Sequence, residues 1–117
     1  MRHHSNKRKF GREKGQRDAF LKGLAINLIR NGKIETTEAR AKELRPYVEK
    51  LVTLAKEDTL ARKRLILSKI YNQEIATNKL FKELAPKYKE VNGGYTRIVK
   101  LGQRFGDGAS LAVIEFI

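Results

Sequence analysis

Residues 36–57, TTEARAKELRPYVEKLVTLAKE, decide how the rest of the chain is arranged. At about 100° per residue, Leu44, Tyr47, Val48, Leu51, Val52, Leu54 and Ala55 fall within one broad arc of a helix. The other side carries Glu38, Lys42, Arg45, Glu49 and Lys56, so Glu38 with Lys42 and Arg45 with Glu49 form i,i+4 pairs. Thr37 is placed to cap the helix, and Glu38 lies where the helix dipole favours an acid. An apolar arc this wide needs neighbours on more than one side, which makes this helix the central column of a core. Pro46 has no N–H to donate and is expected to bend the helix or split it in two. The polar face mixes both signs, so a polyanion should bind elsewhere.

Working outward towards the N-terminus, Lys33–Thr36 reads as a brief strand with Ile34 facing inward. Before it, Asp18 is expected to cap a helix whose stripe is Phe20, Leu21, Leu24, Ala25, Leu28 and Ile29, stopped at Asn31-Gly32. On the other side, Asp58 or Thr59 should cap a third helix running to about Tyr71, with Leu60, Leu65, Ile66, Leu67 and Ile70 apolar. Asn72 reads as the cap of a fourth, in which Ile75, Ala76, Leu80, Phe81 and Leu84 repeat helically and which Pro86 ends. Asn92-Gly93-Gly94 marks a turn. Tyr95–Leu101 and Ser110–Ile117 are two β-like runs, and GQRFGDG between them reads as the flexible loop of a plain hairpin. The short strand at Ile34 cannot stand alone and should join that hairpin as a third strand. The expected fold is one α+β domain, residues 18–117, with about four helices packed on one face of a small sheet.

Charge points to the partner. The chain has 117 residues, 26 Lys and Arg against 13 Asp and Glu, a net charge of +13 and a pI near 10.2. Such an excess fits a nucleic acid or another anionic surface. Cysteine is absent, which excludes a disulfide framework and a thiolate site. No apolar run approaches the roughly 18 residues of a membrane span, and no apolar segment follows the basic start as a secretory signal requires. Residues 1–17 form the densest basic stretch: Arg2, Lys7, Arg8, Lys9, Arg12, Lys14 and Arg17 stand against the single acid Glu13. With Gly11 and Gly15 opposing regular structure, this reads as an extended arm that orders on a polyanion; as an RNA-binding arm it suits the crevices of folded RNA, and DNA stays open because charge does not distinguish the two. The arm's cations displace counterions from phosphates, while His3, His4 and Phe10 can stack on unpaired bases. Two further places reach towards phosphate. Arg40 sits in the first turn of the central helix, where its long side chain passes beyond the helix end. Arg97 and Arg104 flank the glycine-rich hairpin loop.

Catalysis has little to work with. Both histidines, His3 and His4, lie in the arm, serine occurs only at positions 5, 68 and 110, and neither GxxxxGK[ST] nor GxGxxG is present. No enzyme, cofactor or small-molecule substrate is expected. Met1-Arg2-His3 could offer copper(II) or nickel(II) a square-planar nitrogen set, but three residues of pattern make no metal role.

Three blocks then resemble a known family: MRH with RKFGR at 8–12, KIETTEARAKELRPYVEKLVTLAK at 33–56 and GGYTRIVKLGQRFGDGA at 93–109. Together they resemble the bacterial large-subunit ribosomal protein numbered seventeen, over nearly the whole chain. The resemblance implies a two-layer α+β fold with a small mixed sheet. It also implies a cytoplasmic, structural role on large-subunit ribosomal RNA near the polypeptide exit side, beside neighbouring ribosomal proteins. Carried over by position, it places RNA contacts at Arg2, His3, Arg8, Lys9, Arg12 and Arg17, and at Thr36, Thr37, Arg40, Tyr95, Thr96, Arg97 and Arg104. The sequence departs from the family pattern at His4-Ser5 and at Gln16.

Overall fold

The computed structural model describes residues 14–117; the arm positions Arg2, His3, Lys7, Arg8, Lys9 and Arg12 lie outside them. The first helix, α1 (Lys14–Asn31), starts four residues before Asp18, which lies inside its second turn instead of capping it. Propagating a formed helix backwards adds one hydrogen bond per residue, and no proline stands at 14–17 to stop it. Helix therefore crosses the expected boundary between arm and body. Ala25, Leu28 and Ile29 are fully buried, and Leu21, Leu24 and Ile26 pack against the same core. As expected, the helix stops at Gly32, whose φ of +84° lets its N–H donate to the Leu28 carbonyl at 2.8 Å.

Strand β1 (Lys33–Thr37) runs straight into α2 (Glu38–Ala55), and Thr37 serves both. Its Oγ1 accepts the Arg40 N–H at 3.3 Å, the expected cap. Ala41, Leu44, Val48, Leu51, Val52 and Ala55 form the buried stripe, and Glu38–Lys42 and Arg45–Glu49 pair at 2.9 and 3.5 Å. Pro46 does not split α2. The proline is exposed and removes only the bond to the Lys42 carbonyl, while the buried stripe on the other side holds both halves in register.

Helix α3 (Leu60–Lys69) is capped by Thr59, which accepts the Arg62 N–H at 3.2 Å. Only Ile66, with Ile70 just beyond the end, is fully buried; Leu60 and Leu65 lie on the surface because α3 touches the core along a narrow stripe. Tyr71 and Asn72 then adopt left-handed φ values of 57° and 56°, and the Asn72 N–H reaches the Leu67 carbonyl at 2.7 Å. Asn72 thus closes α3, leaving Gln73 at the start of α4 (Glu74–Lys79) without a side-chain cap. Pro86 does not end the fourth helix. The chain widens through a π-helical turn (Leu80–Leu84) into a last α-turn (Ala85–Lys87). Placing the wider turn just before Pro86 moves its ring away from the carbonyl that an α-helix would press against it.

Strands β2 (Thr96–Gln103) and β3 (Ser110–Phe116) form the hairpin, and β1 joins it as the third strand. The order is β1-β3-β2, with both pairings antiparallel. This corrects the mixed sheet: β1 and β2 run the same way but are separated by β3, so no parallel pair forms. Ile34, Ile114 and Ile98 lie in one row across the sheet. That row faces the helices, with Ile114 fully buried. Helix α2 packs over β3 and β2, while α1, α3 and the π-helical turn pack against α2 and α4 rests on α1 and α3. The core therefore surrounds α2.

Candidate nucleic-acid interface

At one flank of the sheet, α1, the β1–α2 junction and the hairpin loop enclose a crevice of about 290 Å³. Thr36, Thr37 and Arg40 from one stretch of sequence and Arg104 from another line it, with Phe20, Leu24, Glu35 and Leu111. The Thr37 cap fixes where α2 begins, and Arg40 is in that first turn. Its guanidinium lies over the Phe20 ring, 4.6 Å from the centroid. A guanidinium resting over a ring still has N–H groups to offer a phosphate.

The hairpin loop is not the flexible connection expected. Arg104 donates through Nε and Nη2 to the two Asp107 oxygens at 3.1 and 2.6 Å. Backbone bonds from Arg104 to Ala109 and from Gly108 to Arg104 close the turn at 2.7 and 2.9 Å. Gly106 and Gly108, at φ +105° and +70°, supply the left-handed steps that this closure needs. The Arg104 hydrogen bond holds the Asp107 carboxyl down at about 2. Phe105 stands on this braced loop with its ring wholly in solvent. Upstream in β2, Leu101 is the extra residue of a bulge opposite Ala112 and Leu111.

The remaining positions behave differently. Arg97 is on the open strand face and is paired with Glu115 at 2.5 Å. Tyr95 and Thr96 are buried, at 1% and 0% exposure. Thr96 donates its N–H and its hydroxyl to Glu49 Oε2 at 3.2 and 2.9 Å, while Arg45 donates to the Thr96 carbonyl at 3.1 Å. The Tyr95 hydroxyl shares a hydrogen bond with Thr53 at 3.1 Å, and Lys56 lies over its ring. Burial pushes the Glu49 carboxyl up, but the Thr96 hydrogen bonds and the Arg45 charge outweigh it and hold the group below its ordinary value. Tyr95 and Thr96 thus fasten β2 to α2. Arg17 is not an extended arm residue; it belongs to α1 and is 6% exposed.

Sequence reasoning passed over Phe105. An aromatic between Arg104 and a glycine, inside a turn-rich segment with no apolar periodicity, was the available signal. Among the described residues no cluster of His, Asp and Glu could hold a metal ion, and no helix is long and apolar enough to cross a membrane.

The family model of ribosomal protein L17 matches residues 20–117, the helices, the junction and the hairpin together. The chain belongs to the ribosomal protein L17 family. It is 56% identical to the large ribosomal subunit protein bL17 of Persephonella marina, over all of this chain and 95% of the relative. The bL17 protein of Sphingopyxis alaskensis is 51% identical over all of this chain and 84% of its own length. That of Clostridium botulinum is 50% identical over 94% of this chain and 96% of its own. The family is one of structural ribosomal proteins, so chemistry is not what the crevice is for.

Proposed function

We propose that the chain is a structural constituent of the large ribosomal subunit, without catalysis, that holds segments of ribosomal RNA together near the polypeptide exit side. The observation that carries this reading is the convergence of Thr36, Thr37, Arg40 and Arg104 on one crevice beside an aromatic on a braced loop. A phosphate seated there would meet the Arg40 guanidinium and two threonine hydroxyls, and Phe105 would stack on a base splayed from the same strand. The arm, through Arg2, His3, Lys7, Arg8, Lys9, Arg12 and Lys14, adds cations that neutralise further phosphates. Arg97, balanced by Glu115, contributes less. Leu60, Leu65 and Ile75, apolar and exposed, are where neighbouring large-subunit proteins would lie.

Deletion of residues 2–12 tests the reading. The shortened chain should keep its helical circular dichroism and fail to enter large subunits efficiently. Normal incorporation of the shortened chain would overturn it.

A further inference from the structure

Three positions put an asparagine or an aspartate directly before a glycine: Asn31-Gly32, Asn92-Gly93 and Asp107-Gly108. Such a pair can close on itself, because glycine has no Cβ to keep its nitrogen from the preceding side-chain carbonyl carbon. Closure needs that nitrogen to lose its proton and turn towards the Cγ atom. At two of the three positions the fold opposes both. The Gly32 N–H donates to the Leu28 carbonyl at 2.8 Å, and Asn31 still belongs to α1. The Gly108 N–H donates to the Arg104 carbonyl at 2.9 Å. Asp107 is itself gripped by Arg104, whose hydrogen bond holds the carboxyl at about 2, so it stays the anion that resists attack.

Asn92 differs on each count. It is exposed and lies in the irregular stretch between the last α-turn and β2. Among the described residues the Gly93 N–H meets no backbone carbonyl. It faces the Tyr95 hydroxyl instead. Burial pushes the Tyr95 phenol up, but hydrogen bonds from Lys56, Thr53 and this N–H outweigh it and hold the group below its ordinary value. A carbonyl cannot take up an amide proton, whereas a phenol that ionises more readily supplies the phenolate that can. Gly93 and Tyr95 also line one open hollow of about 460 Å³, so water reaches this place. The ends of the segment are held, since Lys56 donates to the Val91 carbonyl and Thr96 donates to Glu49.

We propose that Asn92 is a site of spontaneous deamidation in the folded protein. The Gly93 nitrogen, its proton lost, attacks Cγ of Asn92. The new N–Cγ bond closes a succinimide ring, and the Cγ–Nδ2 bond breaks as ammonia leaves with a proton. Water then adds to either ring carbonyl and breaks that carbon's bond to nitrogen, leaving aspartate or isoaspartate; nothing is oxidised or reduced. Either product puts a carboxylate where an amide stood, and isoaspartate also adds a carbon to the main chain just before β2. No step involves RNA, so the site is independent of the RNA-binding reading.

Peptide mass spectrometry of the full chain, held in mildly alkaline buffer with and without urea, tests the site. In buffer alone Asn92 should convert about tenfold faster than Asn31, the scale set by one backbone hydrogen bond. Fragmentation should find isoaspartate at position 92 and none at position 107. In urea the Gly32 hydrogen bond is gone, and the rates at Asn31 and Asn92 should agree within about twofold. Asn92→Gln, whose longer side chain closes a ring far more slowly, should abolish the signal at this position. Equal rates at Asn31 and Asn92 in buffer would overturn the site. So would an Asn92 that converts in urea and stays intact in buffer, because the fold would then protect it as it protects Asn31.

Discussion

Glu49 shows how one carboxylate can settle where a strand begins. It accepts two hydrogen bonds from Thr96 and faces Arg45, so its folded-state pKa lies below the ordinary 4.5. A depressed carboxylate stabilises the fold above the unfolded value, and that contribution fades as pH falls through the folded one. Glu49→Gln should therefore lower stability at neutral pH by about 1–3 kcal/mol. The gap between variant and parent should narrow as pH drops below 4.5, which thermal melts across pH 3–7 would show. Phe105 is the opposite case, a side chain that nothing in the fold uses. Phe105→Ala should leave the melting temperature unchanged and weaken binding to large-subunit RNA by about 1–3 kcal/mol, the usual worth of one stacked base. Residues whose role is local were legible in the sequence: Thr37 as a cap, and the Glu38–Lys42 and Arg45–Glu49 pairs. Tyr95 and Thr96 were not, because their partners Thr53 and Glu49 are more than forty positions away and only the fold brings them together.

Among the elements, α2 was the most legible, since its apolar period is long and regular. Its continuity through Pro46 was not, because the exposed side of a well-buried helix tolerates a missing bond that a lone helix would not. Element ends were the least legible part. Asn72 suits a helix cap and a left-handed terminator equally well, and α3 needs the terminator. The π turn before Pro86 is a compromise between a proline and a core that still needs Leu80, Leu84 and Ala85 buried. In α1, Gly23 remains a weak point. It sits in the helix interior, and a Cβ built on it meets nothing within 4 Å. Gly23→Ala should raise stability by about 0.5–1 kcal/mol, read from the shift in urea midpoint at unchanged slope.

At the scale of the whole molecule, the core and the proposed binding surface occupy different sides. The core gathers around α2, whose outer face carries balanced charge. The Arg40–Arg104 crevice instead lies where α1 meets its neighbours. The α+β architecture and the hairpin's third strand could be read from the sequence, since periodicity and strand number decide them. The crevice could not, because Arg40 and Arg104 are separated by more than sixty residues, and only the β1-β3-β2 order sets them side by side. The most direct test is a density map of a large ribosomal subunit carrying this chain. The account predicts an RNA phosphate within hydrogen-bonding distance of Arg40 and a base against the Phe105 ring. A map in which this flank faces only solvent or protein would contradict it.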